Sequence, residues 1–233
     1  MTQLYKYKIG RYFVVSLKEL SEETLVPFSK TVLNSEKKIK KSFNPLGGRA
    51  EIVIKNLPEL GMTVFKNYFR GGFLGIFNKR LYLKLKGNIR PLSEILFLNE
   101  IKKFNIPVPE PVAAYYSGNI FYKGGTVTTY IKSPYTLAQF CLKDEKKGEK
   151  IFKEKFFPVF EKLIEHKIYH CDLHPGNVVV STDENIYIID FDKASYFEGL
   201  PFYLRQKLES RWNRAVKKHK LPSFLAMVPK KRP

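Results

Sequence analysis

Apolar and polar residues recur along this chain in two rhythms, one of strands and one of helices. Residues 5–15, rich in Tyr, Val and Phe, predict a strand. Ser21, with Glu22 and Glu23 behind it, reads as a helix start, because acidic side chains favour the positive end of the helix dipole. That helix should reach about Asn34, with Pro27 as an early interruption. Residues 50–55 and 62–68 predict two strands around a turn at 57–61. A helix follows over 89–104: Pro91 suits its first turn, and Leu92, Ile95, Leu96, Leu98 and Ile101 supply an apolar face. Pro107, Pro109 and Pro111 then force an extended connection. Strands are predicted at 112–116 and 120–131, with Lys123-Gly124-Gly125 a candidate break in the second.

Beyond that point the helical rhythm dominates. A short helix is predicted over 136–142 and a longer one over 147–166, kinked at Pro158. Val178-Val179-Val180 and Ile186-Tyr187-Ile188-Ile189 predict a small hairpin. Residues 200–219 read as a helix with Arg205, Lys207, Arg211, Arg214, Lys217 and Lys218 mostly on polar faces and Trp212 available for packing. The apolar tail at 224–228, ahead of Lys230-Lys231-Arg232, reads as a packed terminus or as a membrane-surface foot. The pattern is α+β, with strands concentrated in residues 1–131 and helices in 132–233, and a hinge is expected at 128–131.

Composition narrows the partners. At 233 residues and 44% hydrophobic, the chain can bury a core for one large domain or two small lobes. Lys and Arg number 41 against 22 acidic residues, a net charge of +19. Such an excess calls for anionic partners: nucleotide phosphates, nucleic acid or an acidic membrane surface. No apolar run reaches transmembrane length, and Lys6, Lys8 and Arg11 sit where a signal peptide would be apolar, so a cytoplasmic protein is expected. Cys141 and Cys171 stand far apart and are expected as reduced thiols.

The densest chemistry lies between His170 and Asp192. His170-Cys171-Asp172-Leu173-His174-Pro175-Gly176-Asn177 matches the H-x-D-L-x-x-x-x-N of a kinase catalytic loop, and Asp190-Phe191-Asp192 follows at the distance of its metal-binding strand end. Asp172 suits the acceptor of a substrate hydroxyl proton. Asn177 and Asp190 supply the hard oxygen ligands that Mg²⁺ requires. Asp192 is a weaker candidate, as a metal ligand or a strand-end cap. His170 reads as a buttress of the loop and Cys171 as a small packing residue. The predicted hairpin would bring Asn177 and Asp190 to one end of a ribbon.

Three further positions depend on the order of elements. Gly47-Gly48, between two predicted strands, would cover phosphates or serve only as a turn. Lys66 is the phosphate-binding lysine if strands are counted as in a kinase; Lys55 is its rival. Glu94 is the partner of that lysine, or only a neighbour of its helix's N-terminus. Residues 67–93 carry Arg70, Lys79, Arg80, Lys84, Lys86 and Arg90, no acidic residue and many apolar ones, a mixture suited to an anionic amphiphile.

These residues carry a resemblance. Asp172-Leu173-His174-Pro175-Gly176-Asn177 is closer to small-molecule phosphotransferases, such as the aminoglycoside and choline kinases, than to protein kinases, which usually place lysine two residues after the catalytic Asp. Val64-Phe65-Lys66-Asn67-Tyr68-Phe69-Arg70-Gly71-Gly72, Glu94 in its helix, Ile106-Pro107-Val108-Pro109-Glu110-Pro111 and Ile189-Asp190-Phe191-Asp192-Lys193 resemble the bacterial lipopolysaccharide-core kinases, above all the 3-deoxy-D-manno-octulosonic acid (Kdo) kinases. The resemblance covers about residues 44–218. It implies a protein-kinase-like two-lobed α+β fold, with an antiparallel-sheet N-lobe and a small, mainly helical C-lobe. It also implies ATP and Mg²⁺ as cofactors. The implied reaction is phosphorylation of the Kdo 4-hydroxyl on a Kdo–lipid A precursor, by a peripheral protein at the cytoplasmic face of the bacterial inner membrane. Heptose kinases are close relatives. Arg70, Arg80 and Arg90 become candidate contacts to the anionic acceptor, and no nucleic acid partner is expected. The His-Pro-Gly between Leu173 and Asn177 departs from many Kdo kinases and leaves the choice of sugar open.

Overall fold

The computed structural model describes residues 3–34, 51–68, 82–83, 88–119, 121–133 and 135–227. It divides into two compact units, Met1–Asn99 with Glu110–Tyr130, and Glu100–Pro109 with Ile131–Pro233.

The first unit is an antiparallel sheet with a helix on it. Its elements are β1 (Tyr5–Ile9), β2 (Tyr12–Ser16), α1 (Glu22–Asn34), β3 (Glu51–Leu57), β4 (Gly61–Asn67), β5 (Tyr82–Leu83), α2 (Arg90–Ile101), β6 (Pro111–Ser117) and β7 (Phe121–Thr129). The strand order is β1-β2-β6-β7-β4-β3, with β5 pairing further along β7. The single strand expected over 5–15 is a hairpin, because Gly10 turns the chain at φ +55, a conformation that glycine adopts without strain. Ser21 caps α1 as expected, its Oγ accepting from Thr24 N–H at 3.3 Å. Phe28 and Val32 of α1 bury against Phe65, Tyr115 and Val127 of the sheet, with the Phe28 and Phe65 rings edge to face at 5.2 Å.

The glycine pair at 124–125 does not break β7. The strand runs unbroken because Gly125 lies where three strands crowd. A Cβ there would stand 2.3 Å from the Lys66 carbonyl oxygen and 2.5 Å from Tyr115 Oη. Glycine is thus required by close approach rather than by a turn.

The second unit contains β8 (Tyr135–Thr136), α3 (Leu137–Lys143), α4 (Glu145–Ile151), α5 (Phe157–Glu165), β9 (Ile168–Tyr169), β10 (Val178–Val180), β11 (Ile186–Ile188), β12 (Ser195–Tyr196) and α6 (Pro201–Lys218). Thr136 and Gln139 close a capping box at the start of α3. The one long helix expected over 147–166 begins earlier and is interrupted by a π-helical turn, Phe152–Phe156, between α4 and α5. There Phe157 N–H donates to Phe152 C=O, five residues back, directly ahead of Pro158. Proline lacks an N–H and its ring crowds the carbonyl four residues before it, so the helix widens rather than simply bending.

The predicted hairpin is present: β10 and β11 pair with Val178 opposite Ile188 and Val180 opposite Ile186. The segment 100–109 groups with this unit because Pro107 C=O accepts from Ile188 N–H at 2.8 Å and Phe104 stacks on His166 at 4.1 Å. Helix α6 buries Leu204, Leu208, Trp212, Ala215 and Val216. Trp212 stacks on Phe156 at 4.4 Å and its Nε1–H donates to Leu225 C=O at 2.7 Å. As far as Met227 the tail is packed: Asn213 exchanges two hydrogen bonds with the Met227 backbone.

Candidate active site

In the first unit, β4 holds Lys66 between two strands, opposite Ile52 of β3 and Thr126 of β7. Its Nζ stands 3.3 Å from Glu94 Oε1, on α2. Glu94 is only 6% exposed, a burial that acidic side chains tolerate only when paired. The geometry therefore selects Lys66 over Lys55, which is exposed on β3. One helical turn before Glu94, Arg90 stands over the Tyr68 ring at 5.8 Å, and Lys66 approaches the same ring at 5.4 Å. Gly47, Gly48, Arg70 and Arg80 lie outside the described residues.

In the second unit, the loop between β9 and β10 is built on His170. This imidazole is 1% exposed; its Nδ1 accepts from Asp172 N–H at 3.3 Å, and its Nε2 faces Ile189 C=O at 3.0 Å. Those partners make Nε2 the protonated nitrogen. Burial lowers the His170 pKa, outweighing the bond to Ile189 and the nearby carboxylates, so the ring is a neutral brace. Phe191 closes on it edge to face at 4.6 Å. Further along, His174 Nδ1 accepts from Gly176 N–H at 3.0 Å and caps a short 3-10 turn, Pro175–Asn177.

Asn177 is buried at the foot of the hairpin, where its C=O accepts from Ile189 N–H at 2.9 Å. Its Nδ2 donates to the Asp172 carbonyl at 3.0 Å, which leaves Oδ1 as the amide's atom for a cation. Asp190 follows at φ +66, left-handed backbone that a non-glycine residue holds only at some cost. Asp172, Asp190 and Asp192, with Cys171 and Lys193, line one open cavity of about 280 Å³. Among the described residues no three His, Cys, Asp or Glu side chains stand at metal-chelating spacing. Cys171 is half-buried, its Sγ 3.6 Å from the Asp192 carbonyl. Desolvation, then Asp172, raises its pKa, which keeps it a thiol.

Asp172 has a partner that its surroundings in sequence do not announce. Arg211, on α6, directs both Nε, at 3.0 Å, and Nη2 to the same carboxylate oxygen, Oδ1. The other oxygen, Oδ2, stands 3.7 Å from His174 Nε2, too long for a hydrogen bond but close enough for attraction. Partial burial alone would raise the Asp172 pKa; His174 and Arg211 outweigh it and hold the carboxyl well below the usual range. His174 carried a readable signal, two residues after Asp172. Arg211, 39 residues away on a helix crowded with basic residues, carried none.

The sheet unit with its lysine–glutamate pair and the helical unit with its aspartate loop are those of a kinase-like α+β protein. Residues 37–197 match the lipopolysaccharide kinase (Kdo/WaaP) family, and the chain belongs to that family. It is 27% identical over 149 residues to a 3-deoxy-D-manno-octulosonic acid kinase of Vibrio vulnificus (strain YJ016), covering 63% of this chain and 62% of that protein. The enzymes of that name from Xanthomonas axonopodis pv. citri (strain 306) and Stenotrophomonas maltophilia (strain K279a) are 26% and 25% identical over 150 residues, with 59% of each covered. The chain thus spans about three fifths of the length of these relatives.

Proposed function

We propose that this protein is an ATP-dependent sugar kinase that phosphorylates the 4-hydroxyl of Kdo on a Kdo–lipid A precursor. One observation carries the reading: the family match spans residues 37–197 and so includes Lys66, Glu94, Asp172, Asn177 and Asp190 together. The relatives named above are Kdo kinases. Lys66, steadied by Glu94, offers its ammonium to the nucleotide phosphates. Asn177 Oδ1 and Asp190 are the ligands for Mg²⁺, which when bound offsets the negative charge of the phosphates. Asp172 orients the sugar hydroxyl and receives its proton. Its low basicity suits this task, because a loose phosphoryl-transfer transition state asks more for alignment than for proton abstraction.

The acceptor is an amphiphile, so the proposed place of work is the anionic cytoplasmic face of the inner membrane, with the protein bound peripherally. The net charge of +19 and the basic, apolar segment 67–93 support this. No described helix is long and apolar enough to cross a membrane.

The test is transfer of labelled γ-phosphate, with and without Mg²⁺, to Kdo–lipid A, heptose-lipid, aminoglycoside and protein acceptors. Mg²⁺-dependent labelling of the Kdo lipid is the expected outcome. Labelling confined to another acceptor would overturn the proposed substrate, and no transfer to any would overturn the activity.

A further inference from the structure

We propose that Arg211 is the positioning residue for Asp172, and that Oδ2 of Asp172 is thereby the oxygen that meets the acceptor hydroxyl. The inference rests on the phosphotransferase reading but goes beyond it, since Arg211 lies outside residues 37–197 that match the family.

Both close guanidinium donors converge on Oδ1. A guanidinium that places two charged donors on one atom holds that oxygen more firmly in place than a single donor would. Oδ1 is thereby engaged. Oδ2 is the oxygen turned towards His174, whose Nε2 stands 3.7 Å away. Because His174 Nδ1 is committed to Gly176 N–H, its Nε2 carries the proton and points a donor towards the same space. A hydroxyl between them would donate to Oδ2 and accept from His174.

The source of Arg211 matters as much as its reach. Asp172 belongs to a loop, whereas Arg211 belongs to the 18-residue helix α6. Its neighbour Trp212 is fully buried, and Arg205 ties the helix to Glu161 of α5. A loop carboxylate is thus aimed by a guanidinium delivered from a packed element, the arrangement that holds a reacting group to within fractions of an ångström. The pair is partly exposed, with side chains 33% and 44% accessible, so its contribution to global stability is small. A positioning role and a stabilising role are therefore separable.

The experiment is Arg211→Ala and Arg211→Lys, assayed with MgATP and the Kdo lipid. In Arg211→Ala, kcat should fall roughly 10²-fold, the cost of misplacing a catalytic group. KM for MgATP and the thermal midpoint should stay unchanged. Added guanidinium chloride, far below denaturing concentration, should restore part of the rate by filling the vacated place. Lysine should recover little, since one ammonium on a flexible stem cannot reproduce two donors held in a rigid fork. A wild-type kcat in Arg211→Ala overturns the inference, as does a loss that guanidinium fails to restore. Should the unaltered protein transfer phosphate to no acceptor, the activity reading has failed. The inference is then judged on crystal structures of the two proteins, and an Asp172 carboxylate with the same orientation in both overturns it.

Discussion

Asp172 is subject to opposing pulls, partial burial against the attraction of His174 and Arg211, and attraction wins. It therefore stays a carboxylate throughout the neutral range. Asp172→Asn keeps the size and removes the acceptor. The expected result is a fall in transfer of roughly 10²- to 10⁴-fold with nucleotide affinity largely kept; near-normal turnover would mean that another group receives the proton. His170 behaves in the opposite sense. Its folded pKa lies below 6.5, the ordinary value it regains on unfolding. Above that value its contribution to stability is complete; as pH falls below it, the unfolded chain takes up a proton that the buried ring refuses, and stability is lost. Urea unfolding on either side of that pH should show the loss, and His170→Gln, less stable throughout, should show a shallower one. An unchanged slope in that variant would assign the titration elsewhere. Asp172, Asn177 and Asp190 were legible one by one as candidates, because the roles proposed for them impose residue types at fixed separations. Arg211 was not, since a guanidinium may come from any element that passes nearby.

At the scale of elements, the alternation of apolar residues located most strands, but steric detail decided what happened within them. Gly125 illustrates the difference: in sequence it resembled a break, and in the sheet it is the only residue type that fits between Lys66 C=O and Tyr115 Oη. Gly125→Ala must push β7 away from β4 at the position of Lys66. The change should destabilise the protein by about 1–3 kcal/mol, as overpacking does, and should raise KM for ATP by disturbing the Lys66–Glu94 pair. Denaturant midpoints and nucleotide titration measure both, and an unchanged midpoint would show that the sheet absorbs the methyl group. Pro158 makes the same point for helices. The need for a departure from regular geometry was readable, but its form, a π turn stabilised by the Phe157-to-Phe152 bond, depended on how Phe152 and Phe156 pack on Trp212.

For the whole molecule, charge is the property that sequence states directly. If the segment 67–93 meets an anionic membrane, each basic side chain there contributes about 1 kcal/mol. Arg70→Gln, Arg80→Gln and Arg90→Gln combined should then weaken binding to anionic vesicles roughly a hundredfold. Added salt should do likewise, while MgATP binding holds. Sedimentation that ignores both salt and the triple change would assign the charge to another partner. The sequence by itself determined the α+β class, the placing of most of the longer strands and helices, the family and the aspartate–asparagine motif, because each is written in local periodicity or fixed spacing. Only the tertiary structure decided that Lys66 rather than Lys55 meets Glu94, that segment 100–109 packs with the second unit, and that Arg211 holds Asp172. Those are pairings across long separations, and what selects them is which side chains the packed elements bring within hydrogen-bonding distance, a property that no local pattern encodes.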